Sequence, residues 1–142
     1  MVKKKEKDIH QTGKRRLAIA RAMIRPGKGM VRVNSTPLGL WGSEMARMWV
    51  KEPLEIAGEL PKTVDIDVSV RSGGLIGQAE AVRMAIARCL VEYSKSKELR
   101  EQYLQLDRNL LVYDPRRNET HHGSGRGASK RGSRRHKQRS KR

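Results

Sequence analysis

Residues 64–94 read VDIDVSVRSGGLIGQAEAVRMAIARCLVEYS, and the reading of this stretch decides the fold. Val64, Ile66, Val68 and Val70 alternate with Asp65, Asp67 and Ser69, the pattern of a half-buried β-strand. After the glycines the apolar spacing changes to three and four. Ala79, Val82, Ile86, Cys89 and Tyr93 make one stripe of a helix, with Glu80, Arg83 and Glu92 off it. A strand, a glycine-rich turn and a helix in that order raise the question of a phosphate-cradling nucleotide loop.

The details answer it in the negative. A dinucleotide fingerprint needs three glycines as GxGxxG, and here the first position is Ser72. A second strand ending in an acidic residue should follow about 20 residues on, yet the helical pattern runs past Glu92 into further helix. No Lys-Ser or Lys-Thr follows Gly77, so a Walker loop fails as well. Two readings remain. The glycines form a sharp packing turn, or the amides at the helix N-terminus meet a nucleic-acid backbone. No cofactor is expected.

Outward from this centre, Met45, Met48, Trp49 and Leu54 have mostly helical spacing within 42–58, with Pro53 expected to kink or break the pattern. In 14–34 the turn signal PGKG separates two apolar runs, which predicts a β-hairpin turning near Pro26–Gly29. Residues 1–10 are charged and expected to be mobile. Beyond the long helix a second is predicted at Lys97–Leu106, then the short apolar run LLVYD at 110–114. DPRR breaks regular structure, and the remainder is low-complexity Gly, Ser, Lys and Arg.

The chain has 142 residues and 36% hydrophobic residues, enough for one modest core. It has no Phe, so that core must rest on Val, Ile, Leu, Met and Ala. The lone Cys89 has no internal disulfide partner, which suits a reducing cytoplasm, and it sits on the apolar stripe as a core residue. The first residues lack the apolar region of a secretory signal. No stretch approaches the roughly 20 apolar residues that cross a bilayer.

Charge carries the functional signal. The net is +17, but residues 33–114 carry −2 while residues 1–32 carry +9 and 115–142 carry +10. Like charge of this density repels itself unless a polyanion neutralises it. The final run GSGRGASKRGSRRHKQRSKR holds no large apolar anchor, which argues against a membrane surface and for nucleic acid. Other chemistry is thin. His121, His122 and His136 lack Cys partners for a metal, and Asp65 and Asp67 read as a polar strand face. No nucleophile–base set presents itself, so an enzyme is not expected.

Several motifs in order give the chain a family likeness: GKRRLAIARAMIRPGKG at 13–29, EPLEIAG at 52–58, GGLIGQAEAVRMAIARCL at 73–90, LLVYDPRR at 110–117 and SKR at 140–142. The chain resembles the universal ninth protein of the small ribosomal subunit, in its archaeal and eukaryotic-cytosolic form. It departs in two places: Ser72 stands where the family usually has a glycine, and NETHHGSGRGASKRGS is less basic than the family's stretch there. The resemblance implies an α+β fold, a two-layer sandwich of a mixed β-sheet with helices on one face and a left-handed βαβ crossover. It also implies an extended basic C-terminal tail. The expected organisation is a flexible basic segment at 1–12, a globular RNA-binding domain at 13–114 and the tail at 115–142.

The implied partners are small-subunit ribosomal RNA, peptidyl-site transfer RNA and neighbouring proteins of the subunit head. Lys14, Arg15, Arg16 and Arg21 are expected to contact ribosomal RNA. Gly73, Gly74, Gly77 and Gln78 would bring the loop close to a backbone, and Arg116 and Arg117 would grip RNA where the tail departs. Lys141 and Arg142 would touch the transfer RNA. A DNA-compacting basic protein is the rival reading, because the charge map alone permits it.

Overall fold

The alternation of Val64–Arg71 becomes the middle strand of a mixed sheet. The computed structural model describes residues 8–117, with the backbone of 128–129 and 132–133. The strands are β1 (Ile9–Arg15), β2 (Ala18–Pro26), β3 (Val31–Val33), β4 (Thr36–Pro37) and β5 (Val64–Arg71), in the spatial order β1-β2-β5-β3-β4. Every neighbouring pair is antiparallel except β3 with β5, which are parallel and joined through β4 and helix α1 (Glu44–Ile56). Helices α2 (Leu75–Ser94) and α3 (Lys97–Leu106) follow β5. Ala128–Ser129 (β6) and Gly132–Ser133 (β7) pair as a separate antiparallel ribbon. The fold is therefore α+β, as expected. Among the described residues no helix is long and apolar enough to cross a membrane.

Register explains why the sheet has one covered face. Ala20 stands opposite Val70, Ala22 opposite Val68 and Ile24 opposite Ile66, so the apolar residues of β2 and β5 point to the same side. All six are buried there. Helix α2 lies on that side, with α1 and α3 packed against it. Its close approach depends on Gly13: a Cβ at that position would lie 2.0 Å from the Ala81 carbonyl oxygen and 2.7 Å from the Ala85 amide. Of the predicted stripe, Ala79, Val82, Ile86 and Cys89 are buried and Tyr93 is half-buried, but Ala81, Met84, Ala85, Ala87 and Leu90 are buried as well. With the sheet on one side and helices on the other, α2 is the centre of the core and not an amphipathic lid. Ile24, Ile66, Ile86, Leu90 and Leu110 are all fully buried, each contributing about 1.5–3 kcal/mol by removal from water.

Three expectations need correction. PGKG does not turn a hairpin, because β2 and β3 are separated by β5. The loop instead crosses the start of β5. Gly27 N donates to the Thr63 carbonyl (3.0 Å), and Ile66 N donates to the Met30 carbonyl (2.8 Å). The amides of Lys28 and Met30 both donate to Asp65 Oδ1 at 2.9 Å, and these bonds hold the Asp65 carboxyl below its ordinary pKa. The real hairpin joins β1 to β2 through Arg16 and Leu17, with Arg15 opposite Ala18. Strand β1 accordingly begins at Ile9, within a stretch expected to be mobile.

Pro53 does not break α1 either. It is buried inside the helix, which continues to Ile56, and its carbonyl accepts a hydrogen bond from the Tyr103 hydroxyl at 2.6 Å. That bond ties α1 to α3, and Pro53 forfeits only one backbone donor. Ser43 caps α1 and Ser96 caps α3, each accepting at 3.3 Å from the amide three residues on. Helix α3 spans Lys97–Leu106, as predicted. Cys89 is buried, its thiol pushed up to about 12 by loss of water.

Candidate nucleic-acid interface

Strand β5 ends at Arg71 and the chain reverses into α2 over Ser72, Gly73 and Gly74. Ser72 (φ 64°) and Gly73 (φ 74°) are both left-handed. A Cβ on Gly73 would touch the Ala18 Cβ at 3.0 Å, so this glycine is required by packing as well as by conformation. Gln78 Nε2 donates to the Ser72 carbonyl (3.2 Å), fastening the turn to the helix it precedes. Ser72, in place of a third glycine, keeps the left-handed geometry at a cost of order 1 kcal/mol.

Gly74 and Gly77 differ from Gly73. A Cβ on Gly74 would meet nothing within 4 Å, and one on Gly77 would make only ordinary contacts at 3.8 and 3.9 Å. Neither has a positive φ. Nothing inside the domain demands glycine there, whereas a close external neighbour would. Gly74 is the N-cap of α2 without a side-chain cap, and no acidic residue lies in the first turn. The exposed amides and the positive end of the helix dipole are thus unopposed.

The hairpin tip approaches the same place. Arg16 is exposed and left-handed at φ 52°, a strained conformation for a side chain of this size. Between the tip, the glycine turn and the start of α1 lies an open groove of about 1160 Å³. Leu17, Met45 and Ile76 line it and are 74%, 60% and 57% exposed. Lys14, Arg15, Arg16 and Arg117 give it a basic rim. Of the expected contact residues it gathers these four with Gly73, Gly74 and Gly77. Arg21 stands apart on the uncovered sheet face, and Gln78 and Arg116 do not line the groove.

Carboxylates divide the basic residues into two kinds. Arg15 Nε lies 2.5 Å from Glu80 Oε2, and its Nη1 is paired with Asp114 Oδ2. Arg116 grips the same Asp114 through Nη2 (2.6 Å) and through its backbone amide (2.9 Å). Asp114 is 5% exposed, and its bonds to Arg116 first, then Arg15, hold its pKa far below the carboxylate range. Arg15 and Arg116 are therefore partly neutralised within the domain. Among the described residues Lys14, Arg16 and Arg21 have no carboxylate partner. Arg117 Nε donates to the Tyr113 hydroxyl (3.0 Å), and Arg117 and Lys14 each lie 5.8 Å from the Tyr113 ring centre.

Sequence reasoning missed Asp114, Glu80 and the apolar floor of the groove. It also missed Arg88, which donates to the Leu111 carbonyl (2.8 and 3.0 Å) and the Thr12 carbonyl (2.7 Å), pinning the chain before the tail to β1. Lys141, Arg142 and the three tail histidines lie outside the described residues. Among the described residues no group of His, Cys, Asp or Glu is placed to hold a metal.

Residues 13–142 fit the family of ribosomal protein S9/S16. The small ribosomal subunit protein uS9 of Pyrobaculum aerophilum is 54% identical over 111 residues, covering 78% of each chain. The protein of the same name from Aeropyrum pernix is 49% identical over 130 residues, covering 80% of this chain and 86% of that one. That of Methanothrix thermoacetophila is 45% identical over 122 residues, 86% of this chain and 92% of its own. The chain belongs to the ribosomal protein S9/S16 family, whose members are structural ribosomal proteins and not enzymes.

Proposed function

We propose that this chain is a structural constituent of the small ribosomal subunit in the cytoplasm. In this reading the groove and its basic rim bind ribosomal RNA of the subunit head, beside neighbouring head proteins. The C-terminal residues, ending in Lys141 and Arg142, reach the peptidyl-site transfer RNA. The observation that carries the reading is convergence. Segments some 100 residues apart in sequence, Lys14–Arg16 and Arg117, meet at one groove with the uncapped start of α2. Gly74 and Gly77 there have no internal need to be glycine. Phosphate suits both the dipole and the unpaired cations, and an RNA strand supplies it in series.

The tail completes the mechanism. Residues 115–142 carry a net +10, and 28 residues would span at most on the order of 90 Å if fully extended, at about 3.3 Å each. The folded domain is the anchor and the tail the reach. Sedimentation after a high-salt wash tests the first half: the chain should travel with the small subunit, and travel with DNA would support the compaction rival instead. Removing Ser140–Arg142 tests the second. Assembly should persist while transfer-RNA retention in the peptidyl site falls, and equal retention in a filter assay would remove the assigned role of those residues.

A further inference from the structure

The uncovered face of the sheet is divided. Cross-strand register sets Lys14, Ile19 and Arg71 in one row and Thr12, Arg21 and Ser69 in the next. Further along come His10, Met23 and Asp67, then Arg25 with Asp65. In the far half the charges are balanced: Arg25 pairs with Asp67 at 2.9 Å, and Asp65 is occupied by the amides of the crossing loop. In the near half, beside the groove, Lys14, Arg21 and Arg71 have no carboxylate partner among the described residues. Arg21 and Arg71 are exposed, with the hydroxyls of Thr12 and Ser69 on the same face.

Like charges on neighbouring strands of one face repel, so this half of the sheet is less stable alone than with an anion laid across it. Diagonal neighbours such as Arg21 and Arg71 stand about 7–8 Å apart, a spacing that suits separate phosphates and not one shared ion. Ile19 is the one apolar residue of these two rows, too little for the apolar centre of a protein–protein interface. Arg, Lys, Ser and Thr are the side chains that position a nucleic-acid backbone.

We propose that the near half of the open sheet face, with Arg71 as its unassigned member, is a second RNA-backbone surface. The RNA crosses β1, β2 and β5 and continues into the groove. The inference rests on the RNA-binding reading above and adds to it a face, a direction and a residue. It also excludes Arg25, which has the same chemistry on the same face but is already neutralised.

The test is the salt dependence of binding between the full chain and purified small-subunit ribosomal RNA. Removing one cation that neutralises a phosphate should flatten the log–log slope by roughly 0.7–0.9. Arg71→Gln should do so, and Arg25→Gln should leave the slope within error of the parent. Ser69→Glu should weaken binding on the same face without removing a cation. An unchanged slope in Arg71→Gln, or equal flattening in both arginine variants, overturns the proposal. Arg16→Gln separates the two levels. If it flattens the slope while Arg71→Gln does not and Ser69→Glu leaves affinity unchanged, RNA meets the groove but not the sheet. If the parent chain shows no salt-dependent binding, the RNA reading itself falls.

Discussion

Replacing Gly77 by alanine should make the free protein more stable and the RNA complex weaker. The added methyl would meet the Ala18 Cβ at 3.8 Å and the Arg15 carbonyl oxygen at 3.9 Å, both comfortable contacts, in the first turn of α2. Alanine is favoured over glycine in a helix by about 0.5–1 kcal/mol. The first turn warrants the lower value, so melting should rise by about 2–4 °C for a domain of this size. At the RNA surface the same methyl intrudes on a close approach, where overpacking costs about 1–3 kcal/mol. That is about fivefold or more in Kd. Thermal melting by circular dichroism and filter binding at fixed salt measure the two halves separately. Affinity unchanged within twofold would mean that nothing approaches Gly77 closely. A lower melting temperature would mean that the geometry around Ala18 and Arg15 is wrong.

Gly13→Ala should act in the opposite sense. Its Cβ would stand 2.0 Å from backbone that no rotamer change can clear, so α2 must lift from β1. A loss of about 3 kcal/mol is expected, read as an earlier urea midpoint, and an unchanged midpoint would contradict the packing. Asp114→Asn should release Arg15 and Arg116 together and speed tryptic cleavage after Arg116 in the free protein; equal cleavage would show that the carboxylate does not hold the tail. Because the Asp114 pKa is depressed, its restraint is present above the ordinary carboxylate range. It should be lost only as pH falls through the lowered value, leaving cleavage insensitive to Asp114 titration between about pH 6 and 8. Asp65→Ala should accelerate amide exchange at Lys28 and Met30, whose donors would lose their acceptor. Persistent protection would mean that the crossing loop is held by its backbone bonds alone.

Much of the fold was legible because periodicity is a local property. The alternation of Val64–Val70 and the spacing after Gly77 each needed only their own residues. The helix at Lys97–Leu106 was likewise legible from its own residues. Pairing is not local. PGKG reported that the chain changes direction, but not that β5, nearly 40 residues later, would insert between the strands it joins. Pro53 was read as a breaker because the Tyr103 hydroxyl that uses its carbonyl lies 50 positions away. At the interface the inventory of basic residues could be read from composition. Which of them are already neutralised could not, since the Arg15–Asp114 pair spans 99 positions.

The strand order also governs how this protein can be made. The β1–β2 hairpin precedes the other strands and helices in the chain, with Ala18, Ala20, Ala22 and Ile24 on a face that α2 covers. An isolated two-stranded hairpin is marginal in water. The segment from Pro26 to Ser94 must emerge before the cover exists, an interval of about 3–14 s at about 5–20 residues per second. For those seconds the nascent chain exposes an unpaired strand edge next to a dense positive charge. Its vulnerable period is set by topology, and escorts that bind basic chains during synthesis would act within that window.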